Sequence, residues 1–203
     1  WKQMKSSLQA PAPVITMLGE LAAAASLLAS GLKFDGAFVL QIVGDGPVKL
    51  ALVEVRTGQK IRATVQMREG VPVPEHPTFK DLVNANGQGR CAAILDLADR
   101  RPNEDPYQGV VPLTGETVAE TLEGFMTMSE QLQTRLWLAA DEESAGGLLI
   151  QKLPSHGGKM TEAASPESLQ EGFDEVQTFA QTVKPEELLT IDALELSRRL
   201  FWE

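Results

Sequence analysis

The sequence predicts an α+β protein: an antiparallel or mixed β-sheet core packed with helices, followed by a small helical region at the C-terminal end. Three observations carry this. Residues 37–67 alternate apolar and polar with period two and are broken by two turn signals. Residues 12–28 and 118–126 instead repeat their apolar side chains at helical spacing. Past Pro154 the composition changes to a polar, Gly-containing stretch and then to helical periodicity alone.

Taken in order, Pro11 and Pro13 mark a helix start, because a proline at the first turn loses no hydrogen bond there. Ile15, Leu18, Leu21, Ala22, Ala25 and Leu28 share one face, Gly31 fits the C-terminal cap, and the run Ala22 to Ala25 predicts a close neighbour. Ala37 to Ile42 is the first strand, Gly44-Asp45-Gly46-Pro47 a turn, Val48 to Val55 the returning strand, and Ile61 to Met67 a third after Thr57-Gly58-Gln59. The three form an antiparallel meander. Gly70 to Pro77 holds three prolines and is irregular; Thr78 to Ala85 is a short helix capped by Thr78 and ended by Asn86-Gly87. Arg90 to Leu95 and Tyr107 to Leu113 are strands joined by the polar loop Asp99 to Pro106. Thr114, or alternatively Thr117 with Glu120, caps a helix whose apolar face is Val118, Leu122, Phe125 and Met126. Arg135 to Ala140 and Leu148 to Leu153 are two more strands joined by Asp141 to Gly147. The hairpins at Gly44-Asp45-Gly46 and Gly146-Gly147 hint at two similar sheet halves. A connector from Ser155 to Pro166 leads into helices at about Pro166 to Thr182, Pro185 to Leu189 and Ala193 to Trp202. The domain division that follows is a core over residues 1–154 and a helical region over 155–203.

Composition narrows the function. The chain has 203 residues, 18 basic and 28 acidic, for a formal charge of −10, which argues against sequence-independent nucleic-acid binding. The most apolar stretch, Val14 to Leu32, is interrupted by Thr16, Gly19, Glu20, Ser26 and Ser30, so no membrane span is expected. The N-terminal residues do not form a signal peptide, and a Trp start suggests that the chain begins inside a longer gene product. One cysteine excludes an internal disulfide framework, and two histidines leave little room for a histidine-rich metal site.

Chemistry-bearing residues are few. Cys91 opens a strand beside Ala92-Ala93-Ile94 and reads as a small core residue, since a reactive thiol needs cationic neighbours. His76 and His156 read as solvated loop positions without a nucleophile or an orienting partner. Ser129 and Glu130 read as residues that organise a helix-to-strand turn. Gly44-Asp45-Gly46 links strand to strand and lacks the lysine of a phosphate loop. Glu116, Glu120, Glu123 and Glu130 read as a solvated helix face. The unexplained feature is apolar surface. Leu200-Phe201-Trp202 should avoid water, and Phe38, Val39, Leu40, Ile42 and Val43 place apolar residues on both faces of a strand. Either helices cover the sheet on both sides, which the residues alone favour, or the helical appendage covers an apolar sheet surface that its displacement would expose.

Several segments, in this order, resemble the heat-shock protein 33 family of redox-regulated holdase chaperones. They are Leu32 to Gly36, Gln41 to Val48, Tyr107 to Val111, Ser129 to Leu136, Ala145 to Pro154 and Glu186 to Leu189. The ordered set spans nearly the whole chain. Gln133 stands where the family commonly has Pro, a departure expected only to loosen that turn. The family's N-terminal strand-forming segment and its C-terminal zinc domain, with Cys-x-Cys and Cys-x-x-Cys, are absent from this chain, and Cys91 matches none of those ligands. The resemblance implies a cytoplasmic, ATP-independent chaperone that is not an enzyme. In the family, oxidation forms disulfides, expels zinc and unfolds the zinc domain and linker, and the active form, commonly a homodimer, holds unfolding client proteins. No nucleic-acid or membrane partner is implied, and no cofactor in this chain; zinc is expected in the full-length family protein. It also implies that residues 155–203 are the linker, with Leu169, Phe173, Val176, Phe179, Leu188, Leu189, Leu196 and Leu200 covering the client-binding surface. These 203 residues are then expected to be partly or fully active regardless of oxidant. The rival readings are a small enzyme using Ser129, Glu130 or Cys91, and a plain dimerisation module.

Overall fold

The computed structural model describes residues 1–101, 104–152 and 166–202. After a single turn of helix, α1 (Lys2–Lys5), helix α2 (Ala12–Ser30) begins behind Pro11 and ends at Gly31. Gly31 is in the right-handed region, so the helix closes without the left-handed cap that a glycine there allows. Strands β1 (Gly36–Val43), β2 (Val48–Arg56) and β3 (Lys60–Met67) form the predicted meander. Helix α3 (Phe79–Val83) is capped by Thr78, whose hydroxyl accepts from the Asp81 amide while the Asp81 carboxylate accepts from the Thr78 amide. It stops at Asn84, before the expected Asn86-Gly87.

Strands β4 (Arg90–Leu97) and β5 (Tyr107–Pro112) complete a five-stranded sheet in the order β3-β2-β1-β4-β5, every pair antiparallel. Thr117, and not Thr114, caps helix α4 (Val118–Ser129), accepting from the Glu120 amide at 3.1 Å. Strands β6 (Thr134–Ala140) and β7 (Ala145–Gln151) form a separate two-stranded sheet. The sheets are therefore five- and two-stranded, not similar halves, and Gly146 and Gly147 lie inside β7, not in the turn before it. Helices α5 (Pro166–Ala180), α6 (Pro185–Thr190) and α7 (Ala193–Phe201) follow. The connector, with His156 and Leu153, lies outside the described residues.

The core forms where the inner face of the five-stranded sheet meets α2 and α4. Phe38, Leu40 and Ile42 of β1, Ala51, Val53 and Val55 of β2, and Cys91 and Ala93 of β4 point inward and are buried. Helix α2 is buried on more than the one face its sequence suggested: Val14, Leu18, Leu21, Ala24 and Ala25 have no exposed surface. It is long and apolar enough to cross a membrane by length and composition, which the interrupting polar residues had seemed to prevent, and here it fills the space between the two sheets. Gly19 lets that happen. A Cβ there would fall 2.5 Å from the Ala140 Cβ of β6.

The Gly44-Asp45-Gly46 turn is a docking point for α3. A Cβ at Gly46 would lie 2.6 Å from the Asp81 carbonyl oxygen. The Asp45 carboxylate accepts from the Gln88 amide at 2.7 Å, and Arg68 donates to the Gly44 and Gly46 carbonyls at 2.7 and 3.0 Å. The other face of the large sheet meets solvent at Val43, Val110, Arg56 and Arg62, so the apolar alternation in β1 does not mean helices on both sides.

Candidate functional site

The β6–β7 hairpin has two apolar faces with different partners. Strand alternation puts Leu136, Leu138 and Ala140 with Ala145, Gly147 and Leu149 on one face. That face meets α2: a Cβ on Gly147 would lie 3.0 Å from Leu27 Cδ1. The opposite face holds Arg135, Trp137 and Ala139, paired with Ile150, Leu148 and Gly146. Helix α6 rests on this second face. The Leu188 carbonyl oxygen would be 2.2 Å from a Cβ on Gly146, and the paired Ala139 beside it is buried.

Polar contacts position the C-terminal helices. Arg135 donates from Nε to Gln177 Oε1 of α5 at 3.1 Å and from Nη1 to Glu123 Oε2 of α4 at 2.9 Å. Glu123 also accepts from the Leu136 amide at 2.7 Å, so it is not part of a solvated acidic face. Lys152 Nζ donates to Gln170 Oε1 at 2.5 Å. Arg199 of α7 pairs with Glu187 of α6 at 2.9 Å, and Glu187 in turn accepts from the Lys184 amide at the α6 N-cap.

Of the eight linker residues read from the sequence, Phe173, Leu196 and Leu200 are buried, and Leu169, Val176, Leu188 and Leu189 are half-buried. Phe179 is 47% exposed and contributes little cover. The neighbouring Ala180 is fully buried, and helical spacing alone gave it no prominence. Leu200 avoids water as expected, but Trp202 is 73% exposed and Phe201 is exposed too. The surface beneath α6 is the two-stranded sheet and not the meander, since α6 meets β6 and β7. Gly146 and Arg135 were not singled out as parts of this seat. The signal was a glycine pair continuing a period-two pattern, which marks a close backbone approach as readily as a turn.

A second feature lies between α2, the inner face of the large sheet, α4 and β7. It is an apolar cavity of about 200 Å³, lined by Leu28, Leu32, Phe38, Leu40, Ala93, Leu95, Tyr107, Phe125, Met126, Glu130 and Leu149 among others. Tyr107 Oη donates to Glu130 Oε1 at 2.9 Å and Ser129 Oγ donates to the same oxygen at 3.2 Å. The bond to Glu130 raises the Tyr107 hydroxyl above its ordinary range. Gly109 lets the end of α4 approach β5, because a Cβ there would lie 2.5 Å from Ser129 Oγ.

Cys91 does not line this cavity. It is fully buried, and burial pushes its thiol up to about 12. His76 is exposed and does not line the cavity. Among the described residues, Ser129 and Glu130 therefore meet without an imidazole or thiolate. Among the described residues no group of three or more His, Cys, Asp and Glu could hold a metal ion, so these residues do not build a four-ligand zinc site.

Comparison with known proteins matches this chain to a profile described as Hsp33 protein over residues 1–203. The 33 kDa chaperonin of Chromobacterium violaceum is 38% identical over 206 residues, covering 100% of this chain and 63% of that protein. The 33 kDa chaperonin of Methylobacillus flagellatus is 41% identical over 187 residues, covering 92% of this chain and 58% of the relative. The chain thus spans less than two thirds of these relatives' length. Among solved structures, the crystal structure of the 33 kDa chaperonin (heat shock protein 33 homolog) of Thermotoga maritima has a TM-score of 0.69 at 20% identity. It covers 100% of this chain and 66% of that one, and shows the same fold.

Proposed function

The chain belongs to the Hsp33 family, and from that premise we propose that it is the client-holding part of an ATP-independent chaperone. It binds unfolding proteins through apolar surface that α5, α6 and α7 cover. The relatives' printed name, 33 kDa chaperonin, is the name of a chaperone and not of an enzyme. The observation that carries the reading is the seat of α6. One face of a β hairpin, with Trp137, Leu148 and Ile150 around the small pair Ala139 and Gly146, is covered by a six-residue helix. So short a helix has little stability of its own, because nucleation is costly and its hold comes from what it packs on. A cover of this kind belongs to the low-stability end of a structure and can open without unfolding the core.

Redox control enters through thiols other than Cys91, which is buried and poorly ionised. The working form is a cytoplasmic homodimer, and in the full-length protein zinc holds the reduced thiols. Unfolded or partly folded proteins are the clients.

The test is light scattering from a heat-unfolded client protein, with and without the chain, in reductant and again in peroxide, without ATP. Suppression of scattering in both conditions supports a holding activity that these residues carry independently of oxidant. No suppression in either overturns the proposal, and self-association without suppression assigns the chain to a plain dimerisation module.

A further inference from the structure

The cavity beside α4 has three properties that together describe a ligand. It is deep and apolar: Phe38, Leu40, Ala93 and Phe125 form its floor and walls. It reaches from solvent inward to buried core residues and measures about 200 Å³, room for a benzene-sized group. Its rim is apolar and open to solvent, with Tyr107 56% exposed and Leu32 44% exposed. A small ligand would need only the cavity, whereas a polypeptide passing over it would use the rim as well.

The third property is charge. Glu130 stands at the rim with Oε1 occupied by the Tyr107 and Ser129 hydroxyls. Among the described residues nothing donates to its Oε2. No lysine or arginine lines the cavity, and the chain as a whole carries a formal charge of −10. The carboxylate therefore offers an acceptor to a cation supplied from outside, next to a hole shaped for an apolar group.

We propose that this cavity anchors one bulky apolar side chain of an unfolded client, a Phe or Leu flanked by a Lys or Arg whose cationic group reaches Glu130. This rests on the holding function proposed above and adds to it a site and a preference in client sequence. The apolar side chain fills the space under Tyr107 and Leu32, and the neighbouring base donates to Glu130 Oε2.

The test uses three unstructured, fluorescently labelled peptides, each with a single Phe flanked by Lys, by Gln or by Glu. Binding to the 203-residue chain is read by fluorescence anisotropy. The Lys-flanked peptide is expected to bind about tenfold more tightly than the Glu-flanked one, with the Gln-flanked one between them. Glu130→Gln should erase most of that preference. Ala93→Met, which puts a larger side chain into the cavity, should weaken all three peptides, with circular dichroism confirming that the variant is folded. Equal affinity for the Lys and Glu peptides overturns the proposal, as does a preference that survives Glu130→Gln, which would place it on the general negative field. Should Ala93→Met not fold, the Glu130→Gln comparison decides alone. Suppressed client scattering without a peptide preference sinks this site and leaves the holding function standing. A Glu130-dependent preference without suppression leaves the site standing and sinks the function.

Discussion

The carbonyl oxygen of Leu188 sits where the first side-chain carbon of residue 146 would be, 2.2 Å from a Cβ built on Gly146. Helix α6 therefore reaches the hairpin through backbone-to-backbone contact that glycine alone permits at this distance. Gly146→Ala should push α6 off its seat, at a cost of about 1–3 kcal/mol to docking, as overpacking typically does. Hydrogen exchange should report it: the amides of residues 187–191 lose protection while those of β1 and β2 keep theirs. Gly172→Ala in α5, where a Cβ meets nothing within 4 Å, serves as the matched control and should be neutral or slightly stabilising. Unchanged exchange in Gly146→Ala would show that α6 does not depend on this contact.

Arg135 bridges α4 and α5 through Glu123 and Gln177. A double-mutant cycle of Arg135→Ala and Gln177→Ala should give a coupling energy of about 0.5–1.5 kcal/mol, the range of one intramolecular hydrogen bond. Urea unfolding of the four proteins measures it. Additive losses would mean that Arg135 stabilises α4 alone and that α5 is held by its apolar side chains.

Much of this arrangement was legible in the sequence. Period-two alternation located β1 to β3, and helical spacing located α2 and the buried stripe of α4, because local periodicity records which face is buried. What was not legible is which buried faces meet. The apolar residues of β1 on its second face, Val39 and Val43, suggested a cover, but alternation does not say what lies above a sheet. The helices went to β6 and β7, where Gly146 accepts a backbone. Phe179 met the spacing rule for a buried stripe yet is exposed, while Ala180 is buried; Trp202, expected to avoid water with Leu200 and Phe201, is exposed just past the end of α7. The cavity was invisible for the same reason. Its walls come from α2, both sheets and α4, and no local pattern encodes a gap between distant segments.

Cys91 is opposite Ile42 and Val111 in the sheet register and has no exposed surface. With its thiol pushed up to about 12 from an ordinary 9.0, the thiolate available at neutral pH falls by about a thousandfold. A thiol reagent such as dithiobis-nitrobenzoate should label the native protein far more slowly than the urea-unfolded one, and a peptide mass map after peroxide should show Cys91 of the native chain unoxidised while the exposed Met128 gains oxygen. Cys91→Ala should then suppress client scattering as the native chain does, in reductant and in peroxide alike. Rapid native labelling would contradict the burial argued here.

Glu20 gives the fold a pH dependence of unusual sign. It lies on α2, and burial pushes its carboxyl up to about 7 from 4.5. Burial penalises the ionised form, so the folded state holds its proton more tightly than the unfolded chain does. Between about pH 4.5 and 7 the native state binds more protons, and stability must fall as pH rises through that window. A paired carboxylate with a lowered value would do the reverse. The penalty is fully developed above about pH 7 and, at about 1.36 kcal/mol per unit, reaches at most ~3 kcal/mol, less where water relieves part of the burial. Glu20→Gln keeps the shape and removes the charge. It should raise the unfolding midpoint in urea at pH 8, leave it nearly unchanged at pH 4.5, and flatten the decline between them. An equal effect of the substitution at both pH values would mean that the carboxylate reaches water in the folded state.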